Sequence, residues 1–262
     1  MKKLEYTFKT DRLFKTLFVK HPDLLQHLVS ELLNIRLESI EQFLITNPEM
    51  PPEAMRDKFC RLDVNMIVNK QRVNLEIQVK NEGNYPERVL YHWAREYSTA
   101  LPSSKDYKVL PRTIIINIID FPLFDCSEFH SEFQLLEVSR RELLSDKMCF
   151  HFFELTKIPD DINADNMLLL WLALFKADTE EELTKIKSLE VKIMDQAINA
   201  YYNITAESEL RERERLWEKA RHDEAQALSN AKEEEREIWQ SIVADKDAEI
   251  AQLKAQLEAL NK

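Results

Sequence analysis

The chain has 262 residues, of which 44% are hydrophobic, enough to bury a sizeable core in one globular domain with an appendage. No stretch approaches the roughly 20 apolar residues that cross a bilayer, and no apolar run follows the lysines near Met1, so a soluble, non-exported protein with no membrane partner is expected. The net charge of −11 argues against nucleic acid only as an average: residues 1–120 carry 18 basic against 16 acidic side chains, residues 121–262 carry 18 against 31.

In chain order, Asp11–Leu33 reads as helix, with Phe14, Leu17, Phe18, Leu24, Leu25 and Leu28 near helical spacing and Pro22 interrupting or restarting it. Leu37–Ile45 reads as a strand that leads into a loop at Pro48, Pro51 and Pro52. Two strands follow, Phe59–Val68 and Gln71–Lys80, then a helix over Pro86–Ala100 and a strand over Thr113–Ile119. The last is apolar on both faces, as a central buried strand should be. Glu132–Val138 and Cys149–Leu155 extend the sheet. All nine prolines lie between Pro22 and Pro159 and the single glycine is Gly83, so nothing breaks a helix beyond Pro159. Asp161–Lys176 and Thr179–Tyr202 read as amphipathic helices, and Glu207–Lys262 as one long exposed helix rich in Glu, Lys, Arg, Ala, Gln and Leu. The expected class is α/β, a core of helix, three strands, helix and strand over residues 1–160. A helical extension packs on it (161–206), and a long charged helix follows (207–262).

The segment Phe59–Lys80 carries the most information. With Asn69 and Lys70 as the turn, Leu62 falls opposite Ile77, Val64 opposite Leu75 and Met66 opposite Val73, so one face is wholly apolar. On the other face Asp63 falls opposite Glu76, with Cβ atoms about 4.5–5.5 Å apart, and Gln78 and Lys80 project beside Glu76. Two facing carboxylates repel, and a hard divalent cation such as magnesium relieves the repulsion. Such an ion polarises a phosphodiester and activates water, which Gln78 or Lys80 would orient. On spacing alone the same residues also describe an ordinary solvated sheet face.

Three odd cysteines, Cys60, Cys126 and Cys149, form no CxxC pair, which suggests neither a disulfide framework nor a structural zinc site and fits a reducing cytoplasm. The six histidines show no HxxxH or HxH spacing, and no glycine-rich loop cradles a nucleotide. Asp11 is either an acidic ligand from the first helix or a carboxylate favoured by the helix dipole. Lys15 contacts phosphate or is solvated. Arg88, Tyr91 and Arg95 at i, i+3 and i+7 offer a nucleic-acid-binding face beside the site, while Val89, Leu90, Trp93 and Tyr97 read as core.

Asp11-x-x-Phe14-Lys15-x-x-Phe18, Leu62-Asp63-Val64, Leu75-Glu76-Ile77-Gln78, Arg88-x-x-x-x-Trp93 through Tyr97, and Glu154-Leu155-x-Lys157 stand in an order that resembles the recombination-promoting nuclease (Rpn) and transposase family of the PD-(D/E)XK nuclease superfamily, over about residues 8–175. The resemblance implies an endonuclease that hydrolyses DNA with Mg2+ in recombination or mobile-element biology. It implies Asp63, Glu76 and the backbone carbonyl of Ile77 as metal ligands. Gln78 stands where the superfamily has lysine, which keeps open a non-catalytic interaction protein on the same fold; RNA is a further possible substrate. The acidic residues form a hairpin pair with no separate DNA-binding domain, which disfavours a DDE-type transposase. Trp239, Val243, Lys246, Ile250, Leu253, Leu257 and Leu260 alternate steps of four and three, a short heptad seam that points to a homodimer, with a lone solvated helix as the alternative.

Overall fold

The computed structural model describes residues 2–47, 63–101 and 106–206 and, in the C-terminal segment, residues 215, 219, 226–227, 229–240, 242–244, 246 and 250. The chain divides into two compact units, one of Met1–Met50 with Arg61–Arg211 and one of Pro51–Cys60 with Glu212–Lys262.

In the first unit, helix α1 (Asp11–Lys20) gives way to α2 (Pro22–Leu32), so Pro22 restarts the helix from its first turn, where its missing N–H costs nothing. Strand β1 is only Phe43–Ile45, because Leu37–Ser39 coils into a 3-10 turn; the longer strand expected over Leu37–Ile45 is corrected to this. The turn has a task. Asn69 Oδ1 accepts from the N–H groups of Glu41 (2.9 Å) and Gln42 (3.1 Å), and Asn69 Nδ2 donates to the Ser39 carbonyl at 2.7 Å. The 39–42 segment thereby braces the tip of the hairpin formed by β2 (Val64–Val68) and β3 (Gln71–Gln78).

Asn69 and Lys70 have φ of 48° and 68°, the pair of left-handed residues that a tight two-residue hairpin turn requires. Val64 pairs with Leu75 and Met66 with Val73, the register expected from the sequence. Leu62 and the start of the expected Phe59–Val68 strand lie outside the described residues, as do Pro48, Pro51 and Pro52.

Helix α3 (Tyr85–Thr99) crosses over to β4 (Thr113–Ile119), which is parallel to β3 and buried along its whole length. Strands β5 (His130–Leu136) and β6 (Leu143–Glu154) complete a six-stranded sheet in the order β1-β2-β3-β4-β6-β5. The helix, three strands, helix, strand core is therefore present, in an α/β class.

Helices α4 (Met167–Lys176), α5 (Glu180–Lys187) and α6 (Lys192–Ala206) follow. Two expected boundaries shift. Residues 161–166 stay outside α4 because Asn163 Oδ1 accepts from Asp165 and Asn166 N–H, and Asn166 caps the helix through Leu169 N–H at 3.0 Å. The expected Thr179–Tyr202 helix is two, separated at Glu190, whose φ is 56°.

One sheet face carries Val64, Met66, Val73, Leu75, Ile77, Ile114, Ile116 and Ile118 against α1, α2, α4 and α6, with Trp171 fully buried and its Nε1 donating to His27 Nδ1 at 3.1 Å. Tyr85, Val89, Ile115, Ile119, Phe121, Phe150 and Phe152 form a smaller core under α3 on the other face. Leu90, expected in that core, is 50% exposed. Glu154, almost fully buried, accepts from Leu123 N–H at 2.8 Å and from Lys157 Nζ at 2.7 Å, and Lys157 donates to the Phe124 carbonyl as well. The Glu154-Leu155-x-Lys157 motif thus ties the 121–124 loop to the end of β6. In the second unit residues 229–240 are helical, and Trp239, Val243 and Ile250 are exposed; Leu253, Leu257 and Leu260 lie outside the described residues.

Lys9, 7% exposed, joins three remote segments through Asp120 at 2.8 Å and Asp178 at 2.9 Å. Burial works against its charge, but the two carboxylates outweigh that and raise its pKa above the ordinary 10.5. A raised folded-state value means this stabilisation is complete below pH 10.5 and lost only as pH rises through the folded value. Lys9→Met is expected to lower unfolding free energy at pH 7 by about 2 kcal/mol, since hydrogen bonds to charged groups each contribute on the order of 1.5–3 kcal/mol and Asp178 remains partly solvated. Urea titration checks this, and a midpoint equal to that of the unsubstituted chain would refute it.

Candidate active site

Asp63 immediately precedes β2, one step beyond the Val64–Leu75 pair, so the ladder continued outward sets it beside Glu76 of β3. Strand alternation turns Asn65, Asn74 and Glu76 to this same face, away from the larger core. The contacts agree with that placement. Asn74 Nδ2 donates to Asp63 Oδ2 and, at 2.7 Å, to Asn65 Oδ1, while Asn47 Nδ2 holds the Asp63 carbonyl at 3.1 Å. Asn65 N–H in turn donates to Asn47 Oδ1 at 2.7 Å, which fastens the residue two beyond β1 to the hairpin end.

Glu76 is 5% exposed, an unusual position for a carboxylate unless cations or donors surround it. Arg88 of α3 approaches its Oε1 at 3.4 Å and makes a closer contact, 3.0 Å, with Glu82. The guanidinium also lies 4.7 Å over the Tyr85 ring. Arg88 is therefore held in place by two carboxylates and an aromatic face, rather than presented to solvent as a free cation. Tyr91 and Arg95, further along α3, are exposed.

Beneath this layer lies Asn117, the one polar residue in the apolar run Ile114–Ile119 and fully buried. It pairs alongside Glu76 in the ladder, accepts from Tyr85 Oη at 3.0 Å and donates to the His151 carbonyl at 3.1 Å. Sequence reasoning assigned Asn117 no role. The signal was available, because a polar side chain inside a strand buried on both faces must find partners.

Gln78 closes β3; its carbonyl accepts from Asp120 N–H at 2.9 Å, and its Nε2 donates to the Lys80 carbonyl at 3.0 Å. The ladder ends there, so Lys80 is an exposed loop residue and strand alternation no longer aims it with Glu76 and Gln78, as the longer expected strand Gln71–Lys80 required. Ile77 sends its side chain into the larger core, leaving only its main chain for the site. Asp11 opens α1, and Lys15, one turn on, is 4% exposed, which removes the reading of Lys15 as a solvated side chain.

A cavity of about 120 Å³ continues along this face, lined by Thr46, Asn65, Arg72, Asn74, Glu96 and Thr113 among others. Carboxylates, carboxamides and main-chain carbonyls make the donor set almost wholly oxygen, which suits a hard divalent cation better than a soft one.

Tyr85→Phe keeps the ring under Arg88 but strands the buried Asn117 oxygen. It is expected to cost about 1–3 kcal/mol of stability, the penalty for an unsatisfied buried acceptor. Thermal unfolding unchanged from the parent would show that the hydroxyl does not anchor α3.

Comparison with curated proteins and with solved structures finds no match. A family model described as PD-(D/E)XK nuclease family transposase matches residues 8–231, starting where the sequence resemblance starts and running past residue 175, through α4, α5 and α6. The matched span holds the whole sheet, both candidate carboxylates and the α3 crossover, and the chain belongs to the PD-(D/E)XK nuclease family transposases.

Proposed function

We propose that the protein is a magnesium-dependent endonuclease that hydrolyses DNA phosphodiesters in recombination or mobile-element biology. The observation that supports this reading is the β2–β3 register, which continued one residue beyond Val64–Leu75 sets Asp63 beside Glu76, in a chain of nuclease family. Asp63, Glu76 and the main-chain carbonyl of Ile77 would hold the ion, with Asp11 as a further acidic ligand from α1. The ion would polarise the scissile phosphate and lower the pKa of the attacking water.

The protein's own groups divide the remaining work. Asn74 fixes the rotamer of Asp63 through its hydrogen bond, as ligand-orienting partners do at metal sites. Arg88 offsets the buried charge of Glu76 and stands within reach of an incoming phosphate. Gln78 carries an amide where the superfamily has an ammonium, so it orients water by hydrogen bonding and contributes no charge. Lys80, in the loop after β3, and Arg95, exposed on α3, supply cations to the substrate backbone, and Tyr91 offers it a hydroxyl.

Supercoiled plasmid incubated with the full chain is expected to become nicked or linear with Mg2+ and to stay intact with EDTA. Asp63→Asn and Glu76→Gln should each reduce cleavage by about 100-fold or more, since even orienting partners of metal ligands are worth about 10–100-fold. Far-ultraviolet circular dichroism should be unaltered. Near-parental cleavage by either variant would sink the assignment, and cleavage confined to an RNA substrate run in parallel would redirect it.

We further infer that the C-terminal helix makes the protein a homodimer. Trp239, Val243 and Ile250 are exposed on described helical residues and fall on the heptad seam, an apolar stripe that water solvates poorly. Two linked sites would cut both strands of a duplex. Light scattering is expected to give twice the chain mass, falling to the monomer in Trp239→Asp/Ile250→Asp, with nicks then outnumbering double-strand breaks. A full-length chain that is monomeric at micromolar concentration would refute this.

A further inference from the structure

On the sheet face opposite Glu76, strands β5 and β6 bring together three side chains of metal-ligating type, Glu132, Cys149 and His151, whose donor atoms all lie within 4.8 Å of one another. Glu132 sits directly across the ladder from His151, and Cys149 is two residues before His151 on the same face. Cys149 Sγ is 3.3 Å from His151 Nε2 and 3.6 Å from Glu132 Oε1. A tetrahedral ion with Zn–S of about 2.3 Å and Zn–N or Zn–O of about 2.0–2.2 Å spans donor pairs about 3.3–3.6 Å apart.

A second, independent observation concerns the other edge of the same imidazole. His151 Nδ1 lies 3.0 Å from His130 Nε2, and His130 stacks on Phe153 with ring centroids 4.3 Å apart and planes 3° from parallel. A metal-bound histidine characteristically carries such a partner on its distal nitrogen, fixing tautomer and ring orientation. Cys149 and His151 are buried whereas Glu132 is exposed, so the ion has a way in from the sheet edge and a fourth position open to water. The thiol–imidazole–carboxylate set differs in kind from the oxygen donors of the Asp63–Glu76 face and selects a borderline ion.

We propose that Glu132, Cys149 and His151 form a zinc-class metal site, distinct from the nuclease centre, that fastens the edge strand β5 to β6. The ladder between these strands is irregular, with register shifts at Gln134/Leu135 and Leu135/Leu136, and among the described strands β5 pairs only with β6. An ion bridging the two strands just before the irregularity supplies the cross-link that the hydrogen bonds there do not. The site needs no nucleic acid, so it stands whether or not the chain cleaves DNA.

The test is Co2+ titration of the full chain carrying Cys60→Ser and Cys126→Ser, with Mg2+ in excess to fill oxygen-donor sites. Expected are a near-ultraviolet thiolate-to-cobalt band with the strong visible absorption of tetrahedral cobalt, displacement by Zn2+, and a higher unfolding temperature with Zn2+. Glu132→Gln, at an exposed position that leaves the fold intact, should weaken binding, and His130→Ala should weaken it by about 10–100-fold. Absence of the thiolate band, its persistence in Cys149→Ser, or an affinity unchanged in Glu132→Gln would overturn the site.

Discussion

The register of the β2–β3 hairpin is the constraint on which the rest of the molecule depends. Strand side chains alternate, so pairing Val64 with Leu75 and Met66 with Val73 sends the apolar set to the helical core and leaves Asn65, Asn74 and Glu76 on the opposite face. A slip of β3 by one residue would reverse its assignments, exposing Val73, Leu75 and Ile77 and burying Asn74 and Glu76 in their place. Turn chemistry alone holds this register weakly, because Lys70 gains nothing from a left-handed backbone. The bracing of Asn69 by Ser39, Glu41 and Gln42 supplies what the turn residues lack, and the 3-10 turn at Leu37–Ser39 is the form the chain takes to reach it.

The two faces of the sheet are covered unequally, and the candidate site lies on the thinner side. Four helices bury one face, whereas α3 crosses the other and rests on the small aromatic core around Tyr85, Phe121, Phe150 and Phe152. Glu76 lies at the margin of that helix, buried enough to be shielded and flanked by a partly neutralising Arg88. Polar groups deeper on the same side are hydrogen-bonded through Tyr85, Asn117 and the His151 carbonyl, so the layer beneath the site is rigid. Glu154 and Lys157 perform a similar service at the end of β6, which explains their place in the family pattern without any part in chemistry.

Much of this was legible in the sequence, and the reasons divide cleanly. The hairpin register, the Pro22 restart, the fully buried Thr113–Ile119 strand and the α3 crossover follow from periodicity and from proline geometry, which act over a few residues. The errors came where side chains compete with the main chain. Asn163 and Asn166 delay α4, Glu190 splits the expected last helix, and Ser39 with Asn69 shortens β1. Arg88 was legible as a cation near Glu76, but not as one already engaged with Glu82 and the Tyr85 ring. The grouping of Glu132, Cys149 and His151 crosses two strands, so motif spacing along the chain could show only its Cys149-x-His151 part.

The mixed topology of the sheet also orders events in time. Hairpin β2–β3 closes across a two-residue turn, whereas β3, β4 and β6 are joined in parallel across long intervening segments, and Lys9 meets its partners only after Asp178 exists. Local pairing forms in about 1–10 μs, while contacts distant in sequence carry the larger loop-closure cost and arrive later. The register of β2 and β3 thus rests on contacts close in sequence, and those that enclose it, from β4, β6 and Lys9, are the ones far apart along the chain.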